Sequence, residues 1–129
     1  MEASNGNKKK ILIVDDDENL RTVLLDKFTA SGFEAVGASD GEEGLKTALA
    51  IHPDIMLLDV MMPKMDGWEV LKNLRKDVWG QIAKVVMLTS LEGESEVAKA
   101  LEKGTFDYFT KTNLNLDEIV KRVNERLGM

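Results

Sequence analysis

Five side chains in this 129-residue sequence are of types that handle phosphoryl groups or divalent cations, and each follows a short apolar run. Asp59 closes Ile55-Met56-Leu57-Leu58, Asp15 and Asp16 close Ile11–Val14, Thr89 closes Val85–Leu88, and Lys111 comes just after Phe106–Phe109. A carboxylate at the edge of an apolar strand is costly to keep ionised unless a cation or hydrogen-bond donors stand near it. Three carboxylates brought together repel one another, and a hard divalent cation removes that repulsion. The all-oxygen donor set suits Mg²⁺, with Mn²⁺ as the alternative. A lysine ammonium adds a point charge for a phosphoryl oxygen, and a threonine hydroxyl adds a hydrogen bond. Asp59 in such surroundings can attack phosphorus and form an aspartyl phosphate. A carboxylate near its reference pKa is ionised at neutral pH, so no general base is expected.

The elements that must position these residues alternate along the chain. Strands are expected at Ile11–Val14, Phe33–Ala38, Ile55–Leu58, Val85–Leu88 and Phe106–Phe109. The first, third and fourth are apolar at every position, as parallel strands covered on both faces are. Helices are expected between them. The first spans about 18–30, with Leu20, Val23, Leu24 and Phe28 on one side. The second is capped by Ser39 with Glu42 three residues on, and the third by Asp66 with Glu69, burying Val70, Leu71 and Leu74. A weakly apolar fourth covers about 94–103. The fifth is capped by Asn115, with Glu118 behind it and the stripe Leu116, Ile119, Val120, Val123, Leu127. Alternating strands and helices imply an α/β, doubly wound, open parallel sheet, whose ligands bind beyond the carboxyl ends of the strands. All five reactive side chains fall at that end.

Composition narrows the function classes. A formal net charge of −6, with basic residues scattered, disfavours direct nucleic-acid binding. Without cysteine there is no disulfide framework or thiolate metal site, which points to the cytoplasm. No apolar run approaches the roughly 20 residues that span a bilayer. Residues 1–10 read as a flexible polar leader and 11–128 as one domain.

The segments Ile-Leu-Ile-Val-Asp-Asp-Asp at 11–17, Leu-Leu-Asp-Val-Met-Met-Pro-Lys-Met-Asp-Gly at 57–67, Val-Val-Met-Leu-Thr-Ser at 85–90 and Gly-Thr-Phe-Asp-Tyr-Phe-Thr-Lys at 104–111 resemble the receiver domain of two-component response regulators, a CheY-like superfamily. The likeness runs from about Lys10 to Leu127. It implies a flavodoxin-like five-stranded sheet of order 2-1-3-4-5 flanked by five helices. It makes Asp59 the phosphoacceptor for a sensor histidine kinase or a small phosphodonor. It gives Mg²⁺ to Asp16, Asp59 and the Met61 backbone carbonyl, with Asp15 acting through water. Thr89 and Lys111 bind the phosphoryl group, and Thr89 and Tyr108 form the switch. That switch remodels the helix 4–strand 5–helix 5 face for an unnamed downstream protein or for a homodimer. Met61 and Leu91 match positions that tune phosphate lifetime; both are apolar, which implies slow self-dephosphorylation. Receivers usually carry proline directly after the lysine, whereas this chain has Lys111-Thr112, and Asn115 lies one residue further on than the pattern expects. A cis bond before a non-proline residue costs about 2.5–4 kcal/mol, so either that strain is held or the loop takes another path.

Plainer roles stand beside these. Asp17 reads as the cap of helix 1 and Asp66 as a cap rather than a ligand. His52, followed by Pro53, reads as a helix end, and Trp68 as a half-buried reporter beside the Asp59 loop. A self-modifying signalling module that turns over no diffusible substrate is the leading reading. A flavodoxin-like cofactor binder shares the sheet, but the acidic first loop would repel a flavin phosphate. A magnesium-dependent phosphohydrolase would turn over generic phosphoesters. A receiver-like scaffold would not take phosphate at all.

Overall fold

Each apolar run read as a strand forms one. In the computed structural model, which describes residues 8–89, 107–111 and 115–129, β1 (Lys10–Val14), β2 (Glu34–Ala38), β3 (Ile55–Asp59), β4 (Val85–Thr89) and β5 (Asp107–Thr110) build one sheet. Its order is β2-β1-β3-β4-β5 and all its pairings are parallel, which is the doubly wound flavodoxin-like arrangement expected. β1 begins one residue earlier than the apolar run, because Lys10 already pairs with Glu34.

Side chains alternate across a strand, and the all-apolar strands use both faces. Leu12, Val14, Met56, Leu58 and Met87 point into one core, beneath α2 (Gly41–Ile51) and α3 (Gly67–Leu74), whose Ala48, Val70, Leu71 and Leu74 are buried there. Ile11, Ile13, Ile55, Leu57, Val86 and Leu88 point into the other. That core is closed by Leu24 and Phe28 of α1 (Glu18–Ala30) and by Ile119 and Val123 of the last helix, Leu116–Arg126. Each fully buried Leu, Ile or Val contributes on the order of 1.5–3 kcal/mol. The two layers therefore fix the strand ends, and with them the site.

Two expected helix details are corrected. Val23 is exposed rather than buried, and the inner side of α1 is completed by Leu25, packed against the core with Leu20. The α2 cap is Asp40, not Ser39. Asp40 Oδ1 accepts from the Glu43 N–H at 2.8 Å, while Glu43 Oε1 accepts from the Ser39 N–H at 2.6 Å. The box is thus shifted by one residue, with Glu43 taking the part assigned to Glu42. The caps Asp17, Asp66 and Asn115 stand where expected. The fourth expected helix lies outside the described residues. His52 ends α2 in the left-handed region at φ 48° and stacks on Trp79, with ring centroids 4.3 Å apart. No described helix is long and apolar enough to cross a membrane.

Candidate functional site

The three aspartates that follow β1 separate by direction. Asp15 turns inward and is fully buried; Asp16 is exposed; Asp17 caps α1, accepting from the Asn19 and Leu20 N–H groups at 3.0 and 3.2 Å. Asp15 is held at its N–H, its Oδ1 and its carbonyl. Its N–H donates to the Ala38 carbonyl at 3.1 Å, its Oδ1 accepts from the Asp17 N–H at 2.9 Å, and Arg21 Nη1 donates to its carbonyl at 2.7 Å. Arg21 was not singled out from the sequence, although its place one turn into α1 beside the acidic run is the signal.

Asp59 ends β3 at 2% exposure, and its Oδ1 accepts from the Met61 N–H at 3.3 Å. The loop beyond returns sharply, with Gly67 N–H donating to the Val60 carbonyl at 2.8 Å. A Cβ on Gly67 would lie 2.3 Å from the Asp59 carbonyl oxygen, so only glycine lets α3 start so close to the strand end. Gly41 plays the same part for α2, where a Cβ would sit 2.0 Å from the Met65 carbonyl oxygen. Sequence reading named Gly67 as part of a motif but gave it no role, and it missed Gly41.

One carboxylate oxygen each from Asp15, Asp16 and Asp59 lies within 4.8 Å of the others, as the sequence grouping expects. Lys111, directly after β5, reaches both buried acids. Its Nζ is 3.1 Å from Asp59 Oδ1 and 3.0 Å from Asp15 Oδ2. Thr89 ends β4 at the same edge and is buried. Tyr108 falls in β5 opposite Met87, while its side chain, Leu91 and the Lys111–Thr112 bond lie outside the described residues. Met61 is 59% exposed.

The electrostatics correct one expectation. Asp59 is not near its reference value: burial, and then the Asp15 charge, push it up to about 7 against the opposing pull of Lys111 and the Met61 N–H. Burial lowers Lys111, but its two carboxylate partners outweigh burial and hold the ammonium above its ordinary value. Both effects disfavour the ionised form of Asp59, and positive charge placed beside it would oppose them.

That imbalance is the observation that tests a metal. Among the described residues three carboxylates gather beside one lysine, and Asp59 Oδ2 is buried with no hydrogen-bond partner. An orphaned buried oxygen beside two further hard oxygen donors fits a divalent cation of the Mg²⁺ class.

The sequence profile of the response regulator receiver domain matches residues 11–124. The alkaline phosphatase synthesis transcriptional regulatory protein PhoP of Bacillus subtilis (strain 168) is 46% identical over 103 residues, covering 80% of this chain and 42% of that protein. A probable transcriptional regulator ycf27 of Cyanophora paradoxa is 43% identical, covering 81% of this chain and 43% of its own length. The chain thus spans about two fifths of these curated relatives (42% and 43%). Among solved structures, the receiver domain of the Francisella response regulator 1452 aligns with a TM-score of 0.87 at 32% identity, covering 94% of this chain and 98% of that one. A chain of the CheX-CheY-BeF3-Mg+2 complex from Borrelia burgdorferi aligns with a TM-score of 0.85 at 32% identity, covering 95% of this chain and 92% of that one.

Proposed function

This chain belongs to the response regulator receiver domain family, and from that premise we propose that Asp59 is its phosphoacceptor and that Asp15, Asp16, Thr89 and Lys111 assist it. The carrying observation is the orphaned Asp59 Oδ2 beside two further acids and one lysine. Asp16, Asp59 and the Met61 carbonyl would hold Mg²⁺ or Mn²⁺, with Asp15 acting through water. The cation, when bound, supplies positive charge that keeps Asp59 ionised and offsets the incoming phosphoryl charge.

The chain's own groups do the rest. One carboxylate oxygen of Asp59 bonds phosphorus. Lys111 holds Oδ1 and, as negative charge moves from carboxylate to phosphoryl, offers its ammonium to a phosphoryl oxygen. The Thr89 hydroxyl donates to another. The Met61 N–H keeps the carboxyl plane fixed. The donor is the phosphohistidine of a sensor histidine kinase or a small acyl phosphate, and the product is the aspartyl phosphate of this same chain. Catalysis is confined to this self-modification and its reversal.

The output is a population shift: phosphate favours one arrangement of Thr89 and Tyr108, and with it one form of the helix 4–strand 5–helix 5 face, which a downstream protein or a second copy reads. Adding Mg²⁺ and then acetyl phosphate or beryllofluoride should change Trp68 and Trp79 fluorescence saturably, and Asp59→Asn should lose the phosphodonor response. An identical response in both would reject the assignment.

A further inference from the structure

The exposed carboxylate of Asp16 reaches the acidic cluster from a backbone that a single side chain holds. Asp15 lies one residue past the Val14–Ala38 pair that closes the β1–β2 ladder. Its N–H still donates to the Ala38 carbonyl at 3.1 Å, but its own carbonyl is taken by Arg21 Nη1 at 2.7 Å. That carbonyl belongs to the planar peptide joining Asp15 to Asp16. A short bond from a charged donor fixes this plane, and with it the direction in which Asp16 leaves the chain.

The stem of Arg21 is seated for that reach. It passes over Gly37 of β2, where a Cβ would lie 3.4 and 3.6 Å from Arg21 Cδ and Cγ and 3.0 Å from Leu25 Cδ1. Arg21 stands half-buried on α1, just after the four acids Asp15 to Glu18. Among the described residues it pairs with none of their carboxylates. It therefore brings positive charge to this turn without taking an oxygen from the Asp15, Asp16 and Asp59 group.

We propose that Arg21 is a positioning residue that sets the cluster's affinity for a divalent cation by holding the Asp15–Asp16 peptide; this rests on the cation reading given above. The Asp15 side chain has other anchors, since Oδ1 accepts from the Asp17 N–H at 2.9 Å and Oδ2 lies 3.0 Å from Lys111. Asp16 faces solvent, so its aim depends on the backbone beneath it. Releasing that peptide leaves Asp16 to be ordered only when a cation binds, and the lost entropy weakens binding.

The test titrates Mg²⁺ into the folded chain and follows tryptophan fluorescence, well below the melting temperature measured in chelator. Arg21→Met should raise the Mg²⁺ dissociation constant about tenfold, the low end of what partners of metal ligands supply. Lys27→Met removes one positive charge from the same helix, where Lys27 pairs with Asp117, and should leave the constant within about twofold. An unchanged constant in Arg21→Met, with only its melting temperature lowered, would overturn the proposal, as would an equal rise in Lys27→Met. Arg21→Lys keeps the charge on a shorter stem without the planar fork, and should bind more weakly than wild type. Wild-type affinity there would assign the effect to charge and overturn the positioning role. The lysine variant carries the test alone if Arg21→Met does not fold. A wild type with no saturable Mg²⁺ response overturns the cation reading and this inference together. A wild-type response that the Arg21 variants share in full overturns this inference alone.

Discussion

Asp59→Asn is expected to stabilise the cation-free protein, and by an amount that grows with pH. The folded pKa of Asp59 is about 7, against roughly 3.9 for an unfolded chain. Between these values the native state holds a proton that the unfolded chain has released, so stability falls as pH rises from about 4 to about 7 and is level above that. The shift from 3.8 to about 7 sets a ceiling of roughly 4 kcal/mol, at about 1.4 kcal/mol per unit. Relaxation and water penetration reduce this to about 2–3 kcal/mol. Asparagine keeps the shape and an oxygen for the Met61 N–H, and Lys111 keeps its 3.0 Å contact with Asp15. Urea unfolding in chelator at about pH 4 and about pH 7.5 measures the difference, with a melting rise of very roughly 5–12 °C at the higher pH. The reasoning is refuted if Asn is neutral or destabilising at the higher pH, or if it stabilises equally at both.

Three further outcomes follow from the same geometry. Titrating Mg²⁺ should raise the wild-type melting temperature saturably, while Asp16→Ala and Asp59→Asn should flatten the curve, because binding to the folded state alone stabilises it. Gly67→Ala forces a Cβ to within 2.3 Å of the Asp59 carbonyl; it should cost about 1–3 kcal/mol in urea and slow labelling of Asp59 by acetyl phosphate. Arg75→Leu removes the guanidinium that donates to the Gly80 and Ala83 carbonyls at 2.6 and 2.9 Å; it should cost roughly 2–4 kcal/mol by thermal melting without abolishing Mg²⁺ binding.

What was legible in the sequence is what depends on local pattern. β1, β3 and β4 declared themselves because strands buried on two faces admit nothing polar until they end, and that ending carries Asp15, Asp59 and Thr89 to one edge. Asp66 with Glu69 and Asn115 with Glu118 were readable as caps because each has one competent oxygen at the right spacing. Before α2, Ser39 and Asp40 are both competent and both Glu42 and Glu43 follow, so register there is settled only by packing. Packing decides it through Gly41 against Met65 and Gly44 against Val14. Val23 was misread because helical periodicity does not fix which flank of the stripe meets the sheet. The raised pKa of Asp59 had no local signal, since it arises from burial and from Asp15, which lies far away in sequence.

The central claim is that a crowded acidic pocket directs the side chain at position 59 to attack phosphorus. Its most direct test is peptide mass spectrometry of the chain after exposure to Mg²⁺ and acetyl phosphate. The account predicts one added HPO₃ group on the peptide containing Asp59, and none in Asp59→Asn. An unmodified Asp59 peptide with the cation present, or the group on another residue, would contradict it.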